Sequence, residues 1–363
     1  MTDRVSSFEP DWVSPPGDTI LDLLEEKGWT QSELATRTGF TRKHVNELAS
    51  GKATLSPETA LKLESTLGGS AQFWLTREAQ YREALARSDA EAGLARESPW
   101  LAELPVAEMV RLGWIRKTTS VCARVAECLR FFGVASVAAW REQYARPIAA
   151  FRVSTAVARR TGAIAAWLRQ GERQAEAIVC QPFDEGRFRS ALETLRGMTR
   201  QIDPGVFTRE LTSVCAARGV AVVFVPAPKG CPASGATRWL SPDKALLQLS
   251  LRHKTNDHLW FTLFHEAGHL VLHGKRLMFI EGTESISAEH EAEADRFARD
   301  LLIPPSEVKS LREVGRTHAR VRAYADRLGV APGIVVGRMQ KEGILHWSQL
   351  NALKTRYAWS DPR

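Results

Sequence analysis

The run NDHLWFTLFHEAGHLVLHG, residues 256–274, decides the architecture of the C-terminal half of this chain. Its near-continuous apolar residues, interrupted by His265, Glu266 and His269, predict a buried helix over 257–273. Asn256 and Asp257 are residue types that cap helices well and mark its start. An α-helix turns about 100° per residue, so residues four apart lie on one face. His265 and His269 therefore present two imidazoles to one ion. Zinc suits such a set, because it takes nitrogen and oxygen ligands and lowers the pKa of a bound water to about 7. Glu266 lies one residue round. In this reading it is the general base, taking a proton from the water that attacks a peptide carbonyl.

A catalytic zinc needs a third protein ligand. The extended metzincin motif would place glycine at 272 and histidine at 275, where this chain has Leu272 and Lys275, so that class is excluded. Further on, HEAEADRFARDLLIPP (290–305) predicts a second helix near 288–302, stopped by its prolines. Glu291 and Asp295 are four apart on it. Glu291 is the best candidate for the third ligand, and Asp295 for a hydrogen bond that fixes the orientation and tautomer of a ligand histidine. Glu293 points away from that face and is the weaker candidate; it reads as a solvated charge. His253, His258, His273 and His290 read as satisfied structural residues, one of which could stabilise an oxyanion; the sequence does not say which.

Upstream, GVAVVFVPAP (219–228), SGATRWLS (234–241) and KALLQLSL (244–251) predict three strands, the last two forming a hairpin about the turn signal SPD. The strand KALLQLSL is expected to grip an extended peptide by edge pairing. A loop is expected over 274–287. The remainder of the chain reads as helical, as do residues 99–215, which are rich in Ala, Arg and Leu.

The N-terminal part has a different pattern. Residues 18–27, 31–38, 42–50, 57–67 and 71–87 each show helical spacing, separated by Gly, Thr or Ser-Pro breaks. QSELATRTGFTRKHVNEL (31–48) has the positions of a helix-turn-helix: Leu34 and small Ala35 on the first helix, Gly39 in the turn, Val45 and Leu48 on the second. Thr41 is a natural N-cap. Arg42, Lys43, His44 and Asn46 lie where base edges would be read, with Gln31 and Lys52 as candidate phosphate contacts.

The net charge of +7 is unevenly spread: residues 1–88 carry −3, 89–240 carry +7 and 241–363 carry +3. The basic excess thus lies outside the helix-turn-helix and decides little about nucleic acid. Five cysteines without a C-x-x-C pair argue against a disulfide framework or a cysteine–zinc site and fit a reducing cytoplasm. No apolar run approaches the roughly 20 residues that cross a bilayer, and the N-terminus shows no export pattern.

Two stretches resemble known families. Residues 17–75, including the SPETA and FWL runs, resemble the XRE-type helix-turn-helix of HigA-like antitoxins. The segment SGATRWLSPDKALLQLSLRHKTNDHLWFTLFHEAGHLVLHG, with EAEADRFARDLLIPP, resembles the ImmA/IrrE metallopeptidases. The resemblances cover roughly residues 17–88 and 220–306; residues 89–215 match nothing recognised. The second implies a gluzincin-like site with His265, His269 and Glu291 on zinc, Glu266 as base, and a helix-turn-helix repressor as target. The first implies binding to an operator in double-stranded DNA, usually as a homodimer.

The expected fold is therefore multidomain. An all-α helix-turn-helix domain (17–90) precedes a helical middle segment of unknown role (91–215), an α+β gluzincin-like zinc peptidase domain (216–310) and a helical C-terminal segment (311–363). The expected function is that of a cytoplasmic DNA-binding regulator, with no membrane partner, that cleaves a repressor or antitoxin-like protein. The substrate is a partner repressor, the chain's own N-terminal module, or nothing at all. The alternative is a HigA-like antitoxin or autorepressor whose zinc site is structural or sensory.

Overall fold

The computed structural model describes residues 14–145, 155–274, 279–280 and 288–359, and the chain divides after Arg96 into two compact units. Among the described residues the first holds five helices: α1 (Pro16–Lys27), α2 (Gln31–Thr38), α3 (Arg42–Ala49), α4 (Pro57–Leu67) and α5 (Ala71–Arg96). Hydroxyls cap three of them, each accepting a backbone N–H three residues on: Thr30 before α2, Thr41 before α3 and Ser56 before α4. Gly39 makes the tight turn between α2 and α3 in the left-handed region, at φ 72°, where a side chain would be strained. Ile20, Leu34, Val45, Leu63 and Trp74 meet in its core. Gly17 lets α1 touch α3, since a Cβ there would lie 2.1 Å from the carbonyl oxygen of Ala49. α5 runs on to Arg96 instead of ending near 87; its Glu78–Arg82 ion pair, with Arg82 bonded to the carbonyls of Gly51 and Ala53, belongs to this longer helix.

The second unit is built on a four-stranded sheet of order β1–β3–β2–β4: β1 (Val220–Phe224), β2 (Gly235–Ser241), β3 (Lys244–Leu249) and β4 (Phe279–Ile280). β1 runs parallel to β3, while β2 is antiparallel to both β3 and β4. Two expectations are corrected here. The stretch 274–287 is not wholly loop, because β4 pairs with Ala236 and Thr237; residues 275–278 and 281–287 lie outside the described residues. KALLQLSL is not an edge: β3 sits inside the sheet, paired on both sides, and cannot take a further strand. Its apolar run suits a strand covered on both faces.

Helices supply that cover. α6 (Val106–Arg111), α7 (Val121–Phe132), α8 (Val137–Trp140), α9 (Thr155–Glu176), α10 (Glu185–Gly197) and α11 (Pro204–Ala216) precede the sheet. α9 packs on β1 and β3; Trp167 donates from Nε1 to the carbonyl of Val225 at 3.0 Å, and Gln248 donates from Nε2 to the carbonyl of Trp167 at 2.7 Å. After β3 come α12 (Asn256–Leu272), α13 (Ala288–Leu302), α14 (Val308–Glu313), α15 (His318–Leu328) and α16 (Pro332–Lys341). One core joins Phe188, Phe207, Leu247, Trp260, Phe264, Val335 and Tyr357, so the sheet and α12 share it with segments before and after them. Each such fully buried large apolar side chain contributes about 1.5–3 kcal/mol. Among the described residues no helix is long and apolar enough to cross a membrane.

Candidate metal centre and helix-turn-helix

α12 is buried along most of its length, as its composition requires. Its start differs from expectation. Thr255 is the N-cap and makes no side-chain cap bond. Asn256 instead accepts from the N–H of Thr355 at 3.1 Å and donates its own N–H to the Thr355 carbonyl at 2.9 Å, while Asp257 pairs with Lys354 at 2.6 Å. A tertiary partner from the C-terminal tail has taken the groups that would otherwise cap the helix. Gly333 and Gly337 of α16 make room for them, since a Cβ at either would collide with Asn256 or Asp257.

Further along, two glycines and two alanines set the site. On α12, Gly268 faces α13, and a Cβ there would lie 3.3 Å from Cα of Ala294 and 3.1 Å from the Phe297 ring. With Ala294 and Ala298 fully buried opposite, the helices approach closely and carry Glu291 to the histidines. On β2, Gly235 leaves the space filled by Glu266, whose side chain is fully buried.

The result is a triangle of donor atoms. Nε2 of His265 lies 3.1 Å from Nε2 of His269 and 3.3 Å from Oε2 of Glu291, and Nε2 of His269 lies 3.5 Å from Oε1 of Glu291. The edge of a zinc tetrahedron with bonds of 2.0–2.1 Å is about 3.3 Å. The three groups therefore fit a zinc ion without rearrangement of the helices. Oε1 of Glu291 is buried and finds no hydrogen-bond partner among the described residues, leaving an acceptor that a cation satisfies. Glu291 is the most exposed of the three, with 34% of its side chain accessible, and marks the open side.

Behind the triangle, Oδ1 of Asp295 lies 3.0 Å from Nδ1 of His265. Burial opposes charge on His265, but the hydrogen bonds with Asp295 and Glu291, aided by the negative charges of Glu266 and Glu291, raise its pKa to about 10. For Glu291, burial would raise the pKa, yet its contacts with His265 and His269 hold it at about 2. His269 is lowered, chiefly by burial, against the pull of Glu291.

Sequence reasoning missed one arm of this arrangement. Nδ1 of His269 lies 3.0 Å from Nδ1 of His273, and Nε2 of His273 lies 2.9 Å from Oε2 of Glu293. Glu293 is thus an exposed charge that also holds a histidine. The repeated spacing of four at 265, 269 and 273 was a signal for the histidine, but the partner on another helix was not visible. His290 packs its ring 4.4 Å from that of His273, and His253 stacks on His258 at 4.2 Å near the start of α12.

In the first unit, Arg42, Lys43, Asn46 and Lys52 are exposed and Gln31 is half-buried. Thr41 caps α3, and His44 rests edge-on against Phe40 at 4.9 Å. Lys43 approaches Glu47 at 3.8 Å, an exposed pair worth little energy.

Comparison with known proteins assigns both regions. Residues 20–74 match the helix-turn-helix family and residues 232–340 match the IrrE N-terminal-like domain, a peptidase family. The chain carries both domains. Its N-terminal part is also 38% identical over 60 residues to an uncharacterized HTH-type transcriptional regulator, YddM, of Escherichia coli (strain K12). That match spans 16% of this chain and 64% of the regulator's length. The protein is therefore multidomain, with a helix-turn-helix domain followed by an IrrE-like domain, and the donor triangle falls inside the latter.

Proposed function

We propose that the chain is a cytoplasmic transcription regulator with zinc-dependent endopeptidase activity, directed at a helix-turn-helix repressor or antitoxin-like partner. The observation that carries the peptidase half is Glu266, a fully buried carboxylate next in sequence to His265, whose charge acts on that histidine. A purely structural zinc site has no use for such an acid.

His265, His269 and Glu291 would hold the ion, and Asp295 would orient His265. A zinc ion there supplies Lewis acidity, lowering the pKa of a water to about 7 and polarising a carbonyl. Glu266 takes the proton of the attacking water and returns it to the leaving amine. Its burial beside Gly235 keeps it aimed. In this division of labour residues 17–90 bind the operator, as a dimer, and 216–310 hold the metal chemistry. Within the first, Arg42, Lys43, His44 and Asn46 read bases while Gln31, Thr41 and Lys52 meet the phosphates.

The similarity to an HTH-type transcriptional regulator supports a second reading, that of a HigA-like autorepressor with a structural or sensory zinc. The variant Glu266→Gln separates them. Loss of partner cleavage with operator binding retained supports the peptidase. Unchanged control of neighbouring genes, with no cleavage by either protein, supports the autorepressor.

A further inference from the structure

We infer that His273 and Glu293 form a positioning arm for His269, the counterpart of Asp295 behind His265. This rests on the zinc reading above. The two ligand histidines are treated alike by the fold: each presents Nε2 to Glu291 and each has Nδ1 held from behind at 3.0 Å. The holders differ. His265 meets a carboxylate directly, whereas His269 meets an imidazole that in turn meets a carboxylate, Glu293, at 2.9 Å.

Tautomer logic fixes the direction of this chain. A histidine that ligates through Nε2 carries its proton on Nδ1. His269 then donates to His273, whose Nδ1 must be the unprotonated nitrogen. The proton of His273 therefore sits on Nε2 and is donated to Glu293. Reversing either bond would leave a proton on Nε2 of His269 and remove its lone pair from the site. Glu293 thus acts on the metal through two imidazoles. Burial supports the role: the His273 side chain is 3% exposed, so its orientation is set, while Glu293 is 46% exposed and can be changed without disturbing the core.

The test is zinc affinity of the full chain, measured by competition with a chromophoric chelator. His273→Leu should weaken zinc binding by about 10–100-fold, the usual effect of losing such a partner. His273→Asn, whose side-chain oxygen falls near the position of Nδ1, should restore affinity to within about threefold. Glu293→Ala should weaken binding in the unsubstituted chain and add nothing in the His273→Leu background, because the chain is already cut. Equal affinity for all variants, or a full additional loss on combining the two, overturns the inference alone. Absence of zinc binding by the unsubstituted chain overturns both it and the reading on which it rests.

Discussion

Gly235 holds open the space that the Glu266 carboxylate occupies: a Cβ built on Gly235 would lie 2.6 Å from Oε1 of Glu266. The strand residue and the helix residue are thus fitted to each other, and the acid is aimed by the lack of a methyl group. Gly235→Ala should therefore displace Glu266 while leaving the ligand triangle in place. The expected outcome is a loss of peptide hydrolysis of at least about tenfold, with zinc content unchanged and an overpacking cost of about 1–3 kcal/mol. Parallel measurement of bound zinc, hydrolysis and thermal unfolding checks it.

Asp295 and His265 give a second test. Removing the carboxylate in Asp295→Ala frees the ring of His265 and should weaken zinc binding by about 10–100-fold. Asp295→Asn keeps an acceptor and should lose less. Chelator competition reads both.

Zinc should also stabilise the fold. The triangle joins α12 to α13, so occupancy favours the native state, by about 2.7 kcal/mol at a free zinc concentration 100 times Kd. Chelation should lower Tm, and zinc should restore it. His269→Ala should remove the zinc-dependent part of the shift; a variant that still responds fully would show that the ion binds elsewhere.

The buried pair Asp257–Lys354, each side chain 8% exposed, ties the C-terminal tail to the start of α12. Lys354→Met strands a carboxylate in the core and should cost about 3–5 kcal/mol in urea denaturation. Adding Asp257→Asn should recover part of that loss, because the uncompensated charge is gone.

For the helix-turn-helix, Arg42→Ala and Lys43→Ala should weaken operator binding. A residue that meets phosphate lowers the salt-dependence slope by about one, whereas a base-reading residue relaxes sequence preference. Titrations against operator and random DNA at several salt concentrations distinguish these. Undiminished binding by the double variant would contradict a DNA role for α3.

What was legible in the sequence follows from how local each signal is. α2 begins at Gln31 and ends at Thr38 as its pattern predicts, Thr41 caps α3, and β2 and β3 form the expected hairpin, because each depends on neighbours a few residues away. His265 and His269 share a helix face by geometry alone, and Glu291 and Asp295 meet His265 because α12 and α13 both follow their apolar patterns. The misreadings concern groups whose partners are remote. Asn256 and Asp257 look like caps until Thr355 and Lys354 arrive from the tail. Glu293 shows no partner until His273 is brought to it. β3 looks like an available edge until β1, some twenty residues earlier, is placed alongside it in parallel. Gly235 carries no signal at all in one dimension, since the carboxylate it accommodates lies on another element.

In the proposed mechanism Glu266 works on a water at a zinc ion that His265, His269 and Glu291 would hold. The most direct measurement compares the zinc-loaded chain with its Glu266→Gln variant. Each is incubated with a panel of purified helix-turn-helix repressors and with the chain's own N-terminal module, and mass spectrometry follows new termini and zinc per chain. One zinc per chain is expected in both proteins, with new termini only where Glu266 is present. Equal cleavage by both proteins, or a zinc-loaded unsubstituted chain that cuts none of them, would contradict this mechanism.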